Sequence, residues 1–180
     1  MSLIDKIVAA VIPTESSEER VTTRLIAHAL ADKGDWLSQI LDHHEGIEAA
    51  FSAIETSQSS AGRMQALKQL HLLWAGHAQA EETVIYPALA DMGEMSHATI
   101  CYDEQITIKL QMAALEKLDV MSPEFDEKLK HIKDFFSHHI YVEEHSWFVH
   151  IKAKVSLAEQ ARLTHRYAVE YMRYVGHSGH

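Results

Sequence analysis

Apolar positions recur at helical spacing in one long stretch after another. Leu3, Ile4, Ile7, Val8 and Val11 make a short stripe that ends at Pro13, which cannot continue a helix. Ser16 and Glu19 stand three apart as a capping box, so a second helix is expected from Ser17 to about Asp32. Lys33-Gly34-Asp35 breaks it, and Asp35 is a good N-cap for a helix carrying Trp36, Leu37, Ile40, Leu41, His44, Ile47 and Phe51 on one face. A Ser-rich loop over 56–61 leads to Met64, Leu67, Leu70, Trp74, His77, Glu81 and Ile85, a face expected to stop near Pro87. After a turn at Gly93 to Ser96, the next helix runs to about Asp119 with Cys101, Ile108, Met112 and Leu115 inward. Ser122-Pro123 opens another, with Leu129, Ile132, Phe135, His139, Glu143 and Trp147. Ser156 and Glu159 cap a last helix as a second capping box.

Long helices joined by short loops pack as antiparallel neighbours. The pattern predicts an all-α protein with one domain: an up-down-up-down four-helix bundle over 35–155, a helical extension over 1–34, and a C-terminal helix and tail over 156–180. Composition agrees. The 180 residues include 7 Gly and 3 Pro and suffice for one sizeable core. The formal net charge of −10 argues against nucleic acid or an anionic membrane as partner. One cysteine, Cys101, excludes an internal disulfide framework and suits a reducing compartment, so the cytoplasm is the expected location. The first apolar stripe is too short for a membrane span and lacks the basic start of a secretory signal.

The chemistry lies in a repeated motif. His77-Ala78-Gln79-Ala80-Glu81-Glu82 returns 62 residues later as His139-Ile140-Tyr141-Val142-Glu143-Glu144, each followed by an aromatic, Tyr86 and Phe148. Residues four apart share a helix face, so each copy aims an imidazole and a carboxylate at one point. Two such helices facing each other make a metal site across a bundle core. The bland alternative, solvated His-Glu pairs, is opposed by the apolar flanks. The halves match further: Asp42 with Asp103, Ile47 with Ile108, and His44 with Gln105. His44 lies on the inward stripe, while His43 sits about 100° round the helix, at the edge. Glu48 stands beside His44, but its repeat counterpart is Lys109. Glu82 and Glu144 are expected behind the ligands or in solvent, and His138 and His145 outward. Cys101 and Trp36, Trp74 and Trp147 read as core.

With these motifs the chain resembles the hemerythrin family in its bacterial HHE cation-binding form, over about Asp35 to Ser156. The resemblance rests on Asp42-His43-His44, His77-x-x-x-Glu81-Glu82 with Tyr86-Pro87, and His139-x-x-x-Glu143-Glu144. It implies a non-haem di-iron centre, with His44, His77, Glu81, His139 and Glu143 as ligands and zinc or manganese as possible substitutes. The family usually has a third-helix histidine where this chain has Gln105; Gln105 is a poorer ligand for iron, and its neighbour Glu104 offers a carboxylate that would replace it by rotating in. The resemblance implies binding or sensing of O₂, NO or a peroxide. The alternatives are a di-iron enzyme of peroxide or NO detoxification or of iron–sulfur cluster repair, and a bundle whose metal is purely structural.

Overall fold

The structure is a computed structural model, and it describes residues 15–176. The expected stripe ending at Pro13 lies outside the described residues. Helix α1 spans Ser17–Leu30. Its capping box is closed: Ser16 Oγ accepts from the Glu19 N–H at 3.2 Å, and the Glu19 carboxylate accepts from the Ser16 N–H at 2.6 Å. Gly34, at φ 78°, makes a left-handed turn that a side chain would strain. Asp35 then caps α2 (Trp36–Thr56) by accepting from the Ser38 N–H at 2.8 Å. Ser59 caps α3 (Ser60–Ala80), and Ser122 caps α6 (Pro123–Val142), whose proline occupies the first turn, where no N–H is needed. Between them lies α5 (Met95–Leu115), shorter than the run to Asp119 that the sequence suggests, because 116–121 turns instead.

Neither motif helix is uninterrupted. α3 passes through a π turn, Glu81–Ile85, into α4 (Tyr86–Asp91), and α6 passes through a π turn, Glu143–Trp147, into α7 (Phe148–Lys154). The expected stop near Pro87 does not occur. Pro87 lacks the N–H that the carbonyls one turn back need. Those carbonyls find side chains instead: Tyr102 Oη donates to the Glu82 oxygen at 2.7 Å, and Arg166 Nη2 to that of Thr83 at 3.3 Å. α8 (Leu157–Val175) follows Ser156, which caps the Glu159 N–H, but the Glu159 carboxylate turns to Arg162, so the second capping box is only half made.

α2 packs on α3 and on α6, α5 packs on α6, and α8 lies against α3 and α2. The chain is thus all helical with no strand among the described residues, and no described helix is long and apolar enough to cross a membrane. The buried side chains form two apolar clusters. One gathers Ile47, Phe51, Leu70, Trp74, Ile108 and Phe136. The other gathers Trp36, Leu37, Ile85, Tyr86, Trp147 and Tyr167. Fully burying a large apolar side chain contributes on the order of 1.5–3 kcal/mol. Along each bundle helix the residues His44, His77, Gln105 and His139 fall where one cluster gives way to the other. Met64 departs from the expected inward face and is exposed.

Candidate metal centre

His44 on α2, His77 on α3, Gln105 on α5 and His139 on α6 are fully buried, as are Glu81 and Glu143 at the first residues of the two π turns. Ligand atoms of His44, His77, Glu81 and Glu143 all lie within 4.8 Å of one another. His77 Nε2 stands 3.1 Å from Glu81 Oε2, and His44 Nε2 3.5 Å from Glu143 Oε2. His139 Nε2 stands 3.5 Å from the other oxygen of Glu143, Oε1, outside the tightest group.

Each imidazole is held from behind through Nδ1. His44 Nδ1 meets Glu144 Oε1 at 2.7 Å. Glu144 is in turn clamped by Arg24 of α1, whose Nη2 donates to it at 2.9 Å. His139 Nδ1 meets Glu104 Oε2 at 2.8 Å. His77 Nδ1 meets Tyr167 Oη of α8 at 3.3 Å, and that hydroxyl also reaches His43 Nδ1 at 2.9 Å. An imidazole that donates Nδ1–H outward presents the Nε2 lone pair inward, the orientation a ligated histidine takes.

The inward atoms lack partners. Nε2 of His44, His77 and His139, Oε1 of Glu81 and of Gln105, and Oε2 of Glu143 are buried without a hydrogen bond. A buried polar atom left unsatisfied costs on the order of 1–3 kcal/mol, so several converging on one place call for a common partner. Imidazole nitrogen with carboxylate oxygen is a donor set for iron, manganese or zinc. A cation there fits these residues.

Without a cation, charge is shared unevenly. Burial works against the charged form of His44, but the carboxylates of Glu143 and Glu144 on either side of it outweigh that and raise its pKa to about 10. His139 is likewise raised to about 9: burial opposes, and Glu143 and Glu104 prevail. His77 has no carboxylate behind it, and burial with the nearby His44 charge holds its pKa well below the usual 6.5. Burial pushes the Glu81 carboxyl up to about 7.

Other candidates fall elsewhere. Glu48 is turned away onto Arg24 Nη1, at 2.5 Å. Glu104 stands behind His139 and does not replace Gln105 in the centre, because it is engaged by Nδ1. Gln105 Nε2 donates to Glu81 Oε2 at 2.8 Å and to Tyr86 Oη at 2.5 Å. His43 stacks on Tyr171 at the edge, with ring centroids 3.7 Å apart. His138 meets Glu15. Three participants escaped the sequence reading. Tyr86 Oη lies 3.0 Å from Glu81 Oε2 and 2.8 Å from Glu143 Oε1. The available signal was a hydroxyl on one of the two matched aromatics. Arg24 and Tyr167 come from helices flanking the bundle, and no local pattern points to them. Behind Glu144 opens a surface cleft of about 410 Å³ lined by Arg20, Arg24, Glu48 and Tyr141. It reaches the outer partner of His44, not the converging nitrogens.

The family profile described as the hemerythrin HHE cation binding domain matches residues 35–151. A curated relative named DNA nickase, from Nostoc sp. (strain PCC 7120 / SAG 25.82 / UTEX 2576), is 25% identical over 131 residues. The match covers 73% of this chain and 36% of that protein, so the chain spans about a third of the relative's length. No solved structure gives a significant match.

Proposed function

The chain belongs to the hemerythrin HHE cation-binding family, and from that premise we propose that it is a non-haem iron protein that holds two irons and binds or senses O₂, NO or a related small oxidant. His44, His77, Glu81, His139 and Glu143 are the proposed ligands. The observation that carries the reading is the convergence of three unpartnered Nε2 atoms on two buried carboxylates. Iron supplies, when bound, the open coordination positions and the redox change that such a small molecule needs. The chain's own residues do the rest. Glu144, Tyr167 and Glu104 orient the imidazoles, and the two apolar clusters exclude bulk water, which suits a diatomic or peroxide ligand over a larger one. The reading takes 35–155 as the cation-holding unit and the cytoplasm as its setting.

Anaerobic metal analysis with optical spectra before and after O₂ tests it. Two irons per chain and a spectrum that changes on exposure are expected. Absence of bound transition metal after iron-replete expression overturns it, and zinc with no spectral response leaves the structural-metal alternative. Rapid turnover of peroxide or NO favours the enzyme alternative.

A second reading takes up the relative's printed activity, since paired cations also serve phosphodiester hydrolysis. Against it stand the net charge of −10 and the complete burial of the proposed ligands. Conversion of supercoiled plasmid to nicked circles by the metal-loaded protein, absent from Glu143→Ala, decides for that reading.

A further inference from the structure

We propose that Tyr86 is itself a ligand, its phenolate oxygen holding the second cation together with His139 and the two carboxylates. The proposal rests on the two-iron reading above and concerns how the half of the centre to which α5 brings no histidine is completed.

The two halves depart from each other at two positions at once. Where α2 brings His44, α5 brings the neutral amide Gln105; where α7 brings Phe148, α4 brings Tyr86. Where the second half lacks an imidazole, the first half supplies a hydroxyl from across the centre: Gln105 Nε2 meets Tyr86 Oη at 2.5 Å, and that hydroxyl points into the centre. Its oxygen lies 2.8 Å from Glu143 Oε1 and 3.0 Å from Glu81 Oε2. A phenol has one proton and cannot satisfy both contacts. With the proton on one, the phenol has none to give the other. A cation in place of the proton resolves this. Ligand atoms about 2.1 Å from a metal at right angles stand about 3 Å from each other, the spacing seen here.

Two further observations agree. His139 Nε2 is fully buried, unpartnered, and 3.5 Å from Glu143 Oε1, the same oxygen that Tyr86 reaches. Gln105 Nε2 donates to Tyr86 Oη at 2.5 Å, so the amide steadies the oxygen and remains a donor to it after the proton has gone. Charge points the same way. Two divalent cations against Glu81 and Glu143 carry two positive charges in excess, which Glu104 and Glu144 offset only from behind the imidazoles. A phenolate in contact with the cation removes one of them. On coordination the O–H bond breaks, the oxygen keeps the electron pair and binds the metal, and the proton leaves to solvent; nothing is oxidised or reduced.

Ferric iron bound to phenolate absorbs visible light by charge transfer, and excitation in that band enhances the phenolate ring vibrations in the Raman spectrum. The full-length protein loaded with ferric iron should show both, Tyr86→Phe neither, and Tyr102→Phe, which alters the ring 5.2 Å away, both unchanged. Tyr86→Phe should also bind the second ferric ion at least about tenfold more weakly while the first stays in place. Two bound irons without phenolate vibrations overturn the proposal and leave the two-iron reading standing; no bound iron overturns both. If Tyr86→Phe does not fold, the wild-type spectrum together with Gln105→Leu decides: removing the donor to the phenolate shifts the band, and a band indifferent to Gln105→Leu counts against Tyr86 as its source.

Discussion

The two copies of the His-x-x-x-Glu-Glu motif reach the same centre with opposite electrical character. Behind His139 stands a carboxylate, Glu104, and the imidazole is drawn up to about 9. Behind His77 stands a hydroxyl, Tyr167, and the imidazole is held well below its ordinary value. The second glutamates diverge as well. Glu144 is 2% exposed, locked between His44 and Arg24, whereas Glu82 is 19% exposed and pairs with Lys109. The cause is one residue: Gln105 has no Nδ1–H for Glu82 to accept. The motif decides where an imidazole points, and its surroundings decide what charge it carries: Glu143 and Glu104 raise His139 against burial, while burial and the His44 charge lower His77.

Removing what the halves share should have the largest effect. Glu143 faces both His44 and His139, so Glu143→Ala should abolish metal binding, whereas His77→Ala and His139→Ala should each lose one ion. Equal loss from all three in metal analysis would mean that the halves are not separable.

Next comes pH. In the metal-free protein His44 at about 10 and His139 at about 9 carry protons at neutrality, and His77 does not. Cations must displace both of these protons and that of Tyr86, so affinity should rise by up to about three decades per pH unit between about pH 7 and 8, with about three protons released per centre. Isothermal titration in buffers of different ionisation enthalpy counts them. Metal-free stability follows by linkage. The raised pKa values of His44 and His139 favour folding below 6.5, and that contribution is lost as pH climbs through about 9 and about 10. The lowered value of His77 favours folding above 6.5 and is lost on acidification. Metal-free melting temperature should therefore fall on both flanks, and Glu104→Gln should weaken the alkaline fall.

Restoring symmetry sharpens the contrast. Gln105→His should draw Glu82 from Lys109 onto the new Nδ1–H and slow chelator-driven loss of the second ion by about tenfold or more, as outer partners commonly do. An unchanged release rate would show that α5 contributes nothing to the second cation.

The smallest effect concerns the residues preceding each motif. Gly76 lets α8 approach: a Cβ there would lie 2.6 Å from Val175 Cγ2 and 3.2 Å from Tyr171. Its counterpart His138 meets Glu15 instead. Gly76→Ala should cost about 1–3 kcal/mol, a melting-temperature drop of several degrees, and weaken the hold of Tyr167 on His77. His138→Ala should change little beyond its own ion pair, as calorimetry of both variants will show.

Much of the fold was legible because it is written locally. The caps at Ser16, Asp35 and Ser122 and the inward stripe Ile40, His44, Ile47 act within one or two turns of themselves. The inward residues His44, His77, Gln105 and His139 were legible for the same reason: a histidine on an apolar face has one direction to point. What lay beyond reach acts across the chain. Arg24 reaches Glu144 over 120 residues, and Tyr167 reaches His77 over 90. Pro87 read as a stop because its missing hydrogen bonds are made good by Tyr102 and Arg166, neither of which is near it in sequence.

Each π turn is closed by an N–H five residues beyond its acceptor, Tyr86 to Glu81 and Phe148 to Glu143. In genetic terms such a turn behaves as a one-residue insertion absorbed inside a helix. Deleting one codon between Glu82 and Ile85 would remove that extra residue, return the rod to ordinary winding and leave everything after the lesion in its present phase. Tyr86 would keep its aim on the centre, and the widened turn that opens at Glu81 would be lost.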